Sequence, residues 1–114
     1  MEARSKNKVI SAEQAIALVK DGDVICTTGF VQSCIPEALH AALEKRYVDT
    51  KAPKGCTLIM CAGAGDSKGL GTGRLHHEGL LTRVIAANFG RMPKVAQAAQ
   101  ENKITGYNLP QGVI

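Results

Sequence analysis

The sequence of 114 residues contains no tryptophan, two phenylalanines and two tyrosines, so aromatics make up only 4% of it. That scarcity argues against a protein-binding surface anchored on Trp and Tyr. It also argues against a nucleic-acid platform, which needs stacking aromatics among clustered basic residues; here the basic residues are scattered singly. No apolar run approaches the roughly 18 residues of a membrane helix. Met1-Glu2-Ala3-Arg4-Ser5-Lys6 is followed by no apolar stretch of the kind a secretory signal needs, so a cytoplasmic location is expected. Cys26, Cys34, Cys56 and Cys61 form no Cys-x-x-Cys pair, which removes the zinc-ribbon and thioredoxin-like readings. Cys26 and Cys61 lie inside apolar runs and read as reduced core thiols, and no metal site is expected.

What is present is average in hydrophobicity, 45%, and in charge, 21%, with an excess of glycine, 12 residues. Such a chain folds as one small domain and buries about two-thirds of its surface. Residues 1–8, with Arg4, Lys6 and Lys8, form a basic N-terminal arm, and residues 9–114 form the domain. The net charge of +4 suits an acidic ligand such as a phosphorylated cofactor.

Ser11 with Gln14 has the form of a capping box, and Ala12, Ala15, Ile16 and Val19 then fall on one helical face. Asp21-Gly22-Asp23 ends that helix. Val24–Thr28 and Thr57–Ala62 lack polar alternation, which predicts strands covered on both faces. Pro36 opens a second helix with Leu39, Ala42 and Leu43 inward and Glu44, Lys45 and Arg46 toward water. A short helix is expected around Leu75–Leu81, a third strand over Arg83–Asn88, a helix from Pro93 and a fourth strand over Ile104–Asn108. The alternation predicts an α/β fold: a doubly wound, mostly parallel sheet of about four strands with helices on both faces.

In such folds ligands bind at the carboxyl ends of the strands, where three segments emerge: Gly29–Ile35, Gly63–Gly73 and Leu109–Gly112. The glycine-rich stretch Gly63–Arg74 fails the P-loop pattern because Lys68 precedes Gly69, and it fails Gly-x-Gly-x-x-Gly because Lys68 and Arg74 occupy the sixth positions. It reads as a mobile connection whose Lys68 and Arg74 can meet phosphates. His76-His77-Glu78 lacks the second histidine of a metalloprotease motif. Adjacent histidines on a helix point about 100° apart and chelate poorly together; they and the lone His40 read as structural or surface residues. No Gly-x-Ser-x-Gly elbow occurs, and no residue is a convincing nucleophile.

Asp21-Gly22-Asp23-Val24-Ile25-Cys26-Thr27-Thr28-Gly29-Phe30-Val31-Gln32-Ser33-Cys34-Ile35-Pro36 resembles the first signature of the family I CoA-transferases. The spacing matches throughout, with Thr27 at an apolar position and with Thr28 and Cys34 replacing glycines. His77-Glu78-Gly79-Leu80-Leu81 and Glu101–Gly112 resemble the single-chain acetate/propionate branch. The likeness runs from about Val9 to Ile114 and implies the fold shared by CoA-transferases and ribose-phosphate isomerases. It also implies transfer of CoA between short-chain carboxylic acids by ping-pong chemistry, with acyl-CoA and a carboxylate as substrates and no permanent cofactor. A glutamate carboxylate attacks the thioester and carries the CoA as a glutamyl thioester. The resemblance makes Gln111 an amide donor to the oxyanion hole, with Gly29, Phe30 and Gly112 beside the substrate.

The family's catalytic glutamate lies in the second half of the full protein, and Glu2, Glu13, Glu37, Glu44, Glu78 and Glu101 match none of its motif. An N-terminal fragment, inactive alone, is therefore expected, with the C-terminal portion of the same enzyme as partner and a homo-oligomer as the assembly. Two other readings stand beside it. One is a sugar-phosphate isomerase with Asp66 as general base, and the other a non-catalytic subunit that completes another chain's site.

Overall fold

The computed structural model describes residues 7–114, so Arg4 and Lys6 of the basic arm lie outside the described residues. Helix α1 spans Ala12–Ile16 and opens on the expected capping box: Gln14 N donates to Ser11 Oγ at 3.1 Å and Ser11 N to Gln14 Oε1 at 3.0 Å. It is short because Arg46 closes it. The guanidinium donates to the carbonyls of Ile16 and Val19 at 2.7 and 2.8 Å, satisfying groups that another helical turn would have used.

Strand β1 (Val24–Cys26) leads through a loop into α2 (Glu37–Thr50), followed by β2 (Cys56–Ile59) and a 3₁₀ segment, Gly71–His76. Then come β3 (Leu81–Ala86), α3 (Pro93–Gln100) with Pro93 in its first turn, and β4 (Thr105–Asn108). The expected helix around Leu75–Leu81 does not form. His77 turns extended and Gly79 takes φ +95°, while Gly79 O and Leu80 O already accept from Gly55 N and Cys56 N. Leu80 and Leu81 are thereby delivered to the core, at 0% and 4% exposure.

The four strands form one parallel sheet in the order β1-β2-β3-β4. This is the α/β class with a parallel four-stranded sheet that the element alternation predicts. Register shows how its two faces differ. Ile25, Leu58, Val84 and Gly106 form one row across the sheet, with Leu58 and Val84 fully buried. Leu58 and Val84 join Ile16, Leu43, Tyr47 and Val95 in the core with Ile25 packed against it, and a Cβ on the exposed Gly106 would touch Ala99 of α3. The adjacent row, Cys26, Ile59, Ile85 and Tyr107, points the other way. Its members are half-buried or exposed, Tyr107 by 46%.

Within the described residues the strand order never reverses, and α1, α2 and α3 all supply side chains to one core on one face. The expectation that β1 and β2 are covered on both faces is therefore corrected: β2 has one buried face, β1 has only the half-buried Ile25 turned to the core, and β1 and β4 are the sheet edges. Cys56 alone is a core thiol; Cys26, Cys34 and Cys61 are exposed. Of the α2 residues expected in water, only Lys45 is exposed, paired with Asp49 at 2.6 Å; Glu44 and Arg46 are half-buried.

A candidate functional site at the carboxyl ends of the strands

All three expected loops leave the carboxyl end of the sheet, and the first two are locked together. Gly29 takes φ +130°, and a Cβ there would stand 2.9 Å from Ala64 Cβ. Phe30 and Ser33 exchange two backbone hydrogen bonds of 2.9 Å, making a tight turn whose Val31 donates to Gly63 O at 3.1 Å and accepts from Gly65 N at 2.6 Å. Thr28, at a position where the family signature has glycine, donates its hydroxyl to Cys34 O at 3.2 Å and ties the loop base. The Phe30 side chain is 61% exposed at the tip.

Gly63–Gly73 is not a mobile connection. Gly63, Ala64, Gly65, Gly71, Thr72 and Gly73 are buried, and Thr72 donates through both its N–H and its hydroxyl to Ala64 O. Asp66 accepts from the N–H groups of Lys68, Gly69 and Leu70, each at 2.9 Å. Those backbone bonds, Leu70 and Lys68 first, hold its carboxyl below the ordinary value of 3.8. A carboxylate so engaged is a structural cap, the opposite of a general base raised toward neutrality.

Arg74 is not free for phosphates either. Its Nε donates to Glu37 Oε1 at 2.6 Å and its Nη1 to Glu44 Oε2 at 2.8 Å, while Glu37 Oε2 accepts from Gly71 N at 2.9 Å. Glu37 and Glu44 stand seven residues apart and so share one face of α2. That spacing was the sequence signal for this clasp. Lys68 stays exposed.

Gln111 sits in an exposed turn after β4 that Val113 N closes on Pro110 O at 2.8 Å. Its amide makes no hydrogen bond to any described residue, and a Cβ on Gly112 would meet nothing within 4 Å. Gln111 and Gly112 thus face open space at the same sheet end as Gly29 and Phe30, but on the opposite edge. The strands they follow, β1 and β4, stand three spacings, about 14 Å, apart in the sheet.

A cavity of about 280 Å³ lies beside the first loop, lined by Ile25, Thr27, Thr28, Pro36, Leu39 and His40 among others. His40 Nε2 is 2.9 Å from Thr27 Oγ1, and its buried Nδ1 has no partner among the described residues. Burial pushes its pKa below 6.5; Glu37 opposes the shift and Arg74 adds to it. The unfolded chain therefore binds a proton more readily than the folded one. Stability present above pH 6.5 is lost as pH falls from there to the folded-state value. The urea midpoint should drop between pH 7.5 and 5.5, and His40→Gln should flatten that drop. An equal drop in both proteins would exclude His40 as its source.

A parallel α/β layer that gathers glycine-built loops and an unpaired amide at its strand carboxyl ends has the open-sheet architecture in which ligands generally bind at that end. The Coenzyme A transferase family profile matches residues 9–114, and the chain belongs to that family. It is 32% identical over 107 residues to the acetate CoA-transferase YdiF of Escherichia coli K12, covering 93% of this chain and 20% of the relative. Caffeate CoA-transferase of Acetobacterium woodii is also 32% identical, covering 94% of this chain and 20% of its own length. The crystal structure of E. coli O157:H7 YdiF in a thioester complex with CoA superposes with TM-score 0.83 at 31% identity, over 91% of this chain and 20% of that one. The apoenzyme gives TM-score 0.84 over 92% and 21%. The chain thus spans about one-fifth of the length of the relatives it matches. No helix among the described residues is long and apolar enough to cross a membrane.

Proposed function

We propose that the chain forms the first α/β layer of an acyl-CoA:carboxylate CoA-transferase that moves CoA between short-chain acids through a glutamyl-CoA thioester. The observation that carries this reading is the free Gln111 amide at the strand carboxyl end, in a fold matching an enzyme captured as a CoA thioester. Placed between Pro110 and Gly112, that amide is suited to donate to the charge developing on a thioester oxygen. Gly29 and Phe30 border the acyl end, and coenzyme A is substrate rather than resident cofactor.

The nucleophilic glutamate comes from polypeptide other than residues 1–114. Glu37 and Glu44 are engaged by Arg74 and Glu101 by Lys103, and the exposed Glu13 and Glu78 match none of the family's motif. The partner is the C-terminal portion of the same kind of enzyme, in a cytoplasmic homo-oligomer. The isomerase reading loses its base, because Asp66 is occupied as a cap.

The test is CoA transfer from acetyl-CoA to propionate. The chain alone should give no turnover, and the chain combined with a C-terminal CoA-transferase portion should. In the combined protein, Gln111→Ala should lower kcat about a hundredfold, about 2.7 kcal/mol, with stability unchanged. Turnover by the isolated chain, or full activity without Gln111, would remove the reading.

A further inference from the structure

The segment that sequence reasoning set aside as a pair of badly placed histidines is the best-organised polar cluster outside the strand-end loops. His76 ends the 3₁₀ segment and His77 turns extended, with φ −61° and ψ 129°, so the rings do not splay as they would on an α-helix. They stack instead, centroids 4.3 Å apart and planes 29° apart. Glu44 reaches the same place from α2, its Oε1 2.9 Å from His77 Nε2. One ligand atom from each of Glu44, His76 and His77 lies within 4.8 Å of the other two, and all three residues are half-buried.

We infer that Glu44, His76 and His77 form a binding site for a zinc-type divalent cation. Two imidazoles and one carboxylate are a donor set that suits Zn²⁺. The neighbours orient those donors as outer-shell groups do. His76 Nδ1 is 2.9 Å from Gly73 O, and because a carbonyl only accepts, Nδ1 carries the proton and Nε2 keeps its lone pair free. Arg74 holds the other carboxylate oxygen, Glu44 Oε2, at 2.8 Å, leaving Oε1 for the ion.

On binding, the cation takes the place of the hydrogen between His77 Nε2 and Glu44 Oε1: an imidazolium loses that proton to water, while a neutral ring carries it on Nδ1 instead, so His77 ligates as a neutral imidazole. Tetrahedral bonds of 2.0–2.2 Å set donors roughly 3.3 Å apart, so Glu44 Oε1 and His77 Nε2 open from 2.9 Å while the His76 donor adjusts from within 4.8 Å of both. His76 and His77 also line a pocket of about 250 Å³ beside Leu81 and Ile104, at the amino ends of β3 and β4. Water or a small anion from that pocket fills the fourth position. The site therefore lies at the end of the sheet opposite Gln111, and bridges α2 to the segment before β3.

The probe is Co²⁺, read by visible absorption, with Zn²⁺ competing in calorimetry. Exposed Cys26, Cys34 and Cys61 are rival ligands, and a thiolate–cobalt charge-transfer band would report them. One ion per chain is expected, with no such band. His76→Asn keeps a donor for Gly73 O, and His77→Gln keeps an amide for Glu44, so both should leave the urea midpoint of the metal-free protein nearly unchanged. Each should weaken Zn²⁺ binding at least tenfold. Absence of binding, a thiolate band, or unchanged affinity in both variants would each overturn the site.

Discussion

Gly63→Ala is expected to destabilise the chain by about 3 kcal/mol or more, a large share of what a small domain has. A Cβ at this position falls well inside contact distance of the Asn88 carbonyl oxygen and 3.0 Å from both Cβ and Cγ of Arg91. That oxygen belongs to the backbone entering the 3₁₀ turn Phe89–Arg91 between β3 and α3, and Val31 N donates to the Gly63 carbonyl itself. Relief therefore requires parting the loops that follow β1, β2 and β3. Gly73→Ala is the control from the same glycine-rich stretch: nothing lies within 4 Å of its Cβ and its φ is not positive. That substitution should be neutral or slightly stabilising, because alanine restricts the unfolded chain more than glycine does. Urea midpoints of the two variants, with unchanged m-values, measure the contrast. Coinciding midpoints would show that the stretch is as loose as its composition suggests. A wide separation would mean that its glycines serve close backbone packing and not flexibility.

That contrast also marks where sequence reasoning reached its limit. The capping box of α1, the helix from Pro93 and the four strands depend on neighbours within a few positions, and all were legible. The strand-end placement of Gly29, Phe30, Gln111 and Gly112 followed from the alternation of elements. What was not legible is tertiary. Arg74 reads as a free cation until α2 brings Glu37 and Glu44 to it across 37 and 30 residues. The helix expected over Leu75–Leu81 fails because Gly79 is left-handed and Leu80 and Leu81 belong to the core. His76 and His77 looked unsuited to a common ligand only on the assumption that both were helical. Strands of unbroken apolar character looked buried on both sides, yet an apolar side chain says only that it tolerates burial, not that a layer covers it.

Leu58→Ala and Ile59→Ala, adjacent on the same strand, should separate the two faces of the sheet. Leu58 has no exposed surface and packs in the core, so its truncation should cost roughly 2–5 kcal/mol, toward the upper end because the site is enclosed. Ile59 lies in the row Cys26–Ile59–Ile85–Tyr107 and is only half-buried, its contacts coming from neighbouring strands. Its truncation should cost about 1 kcal/mol, the fraction of a full isoleucine burial that this face supplies. Equal losses in the isolated chain would mean that a second layer already covers the sheet. Addition of the C-terminal portion proposed above gives the complementary measurement. Docking over the Cys26–Tyr107 row would bury Ile59 as Leu58 is buried, and the two costs should converge. Docking only at the strand carboxyl ends, beside Phe30 and Gln111, would restore CoA transfer and leave the costs apart. Stability and turnover measured on one pair of variants therefore distinguish a partner that completes the fold from one that completes only the site.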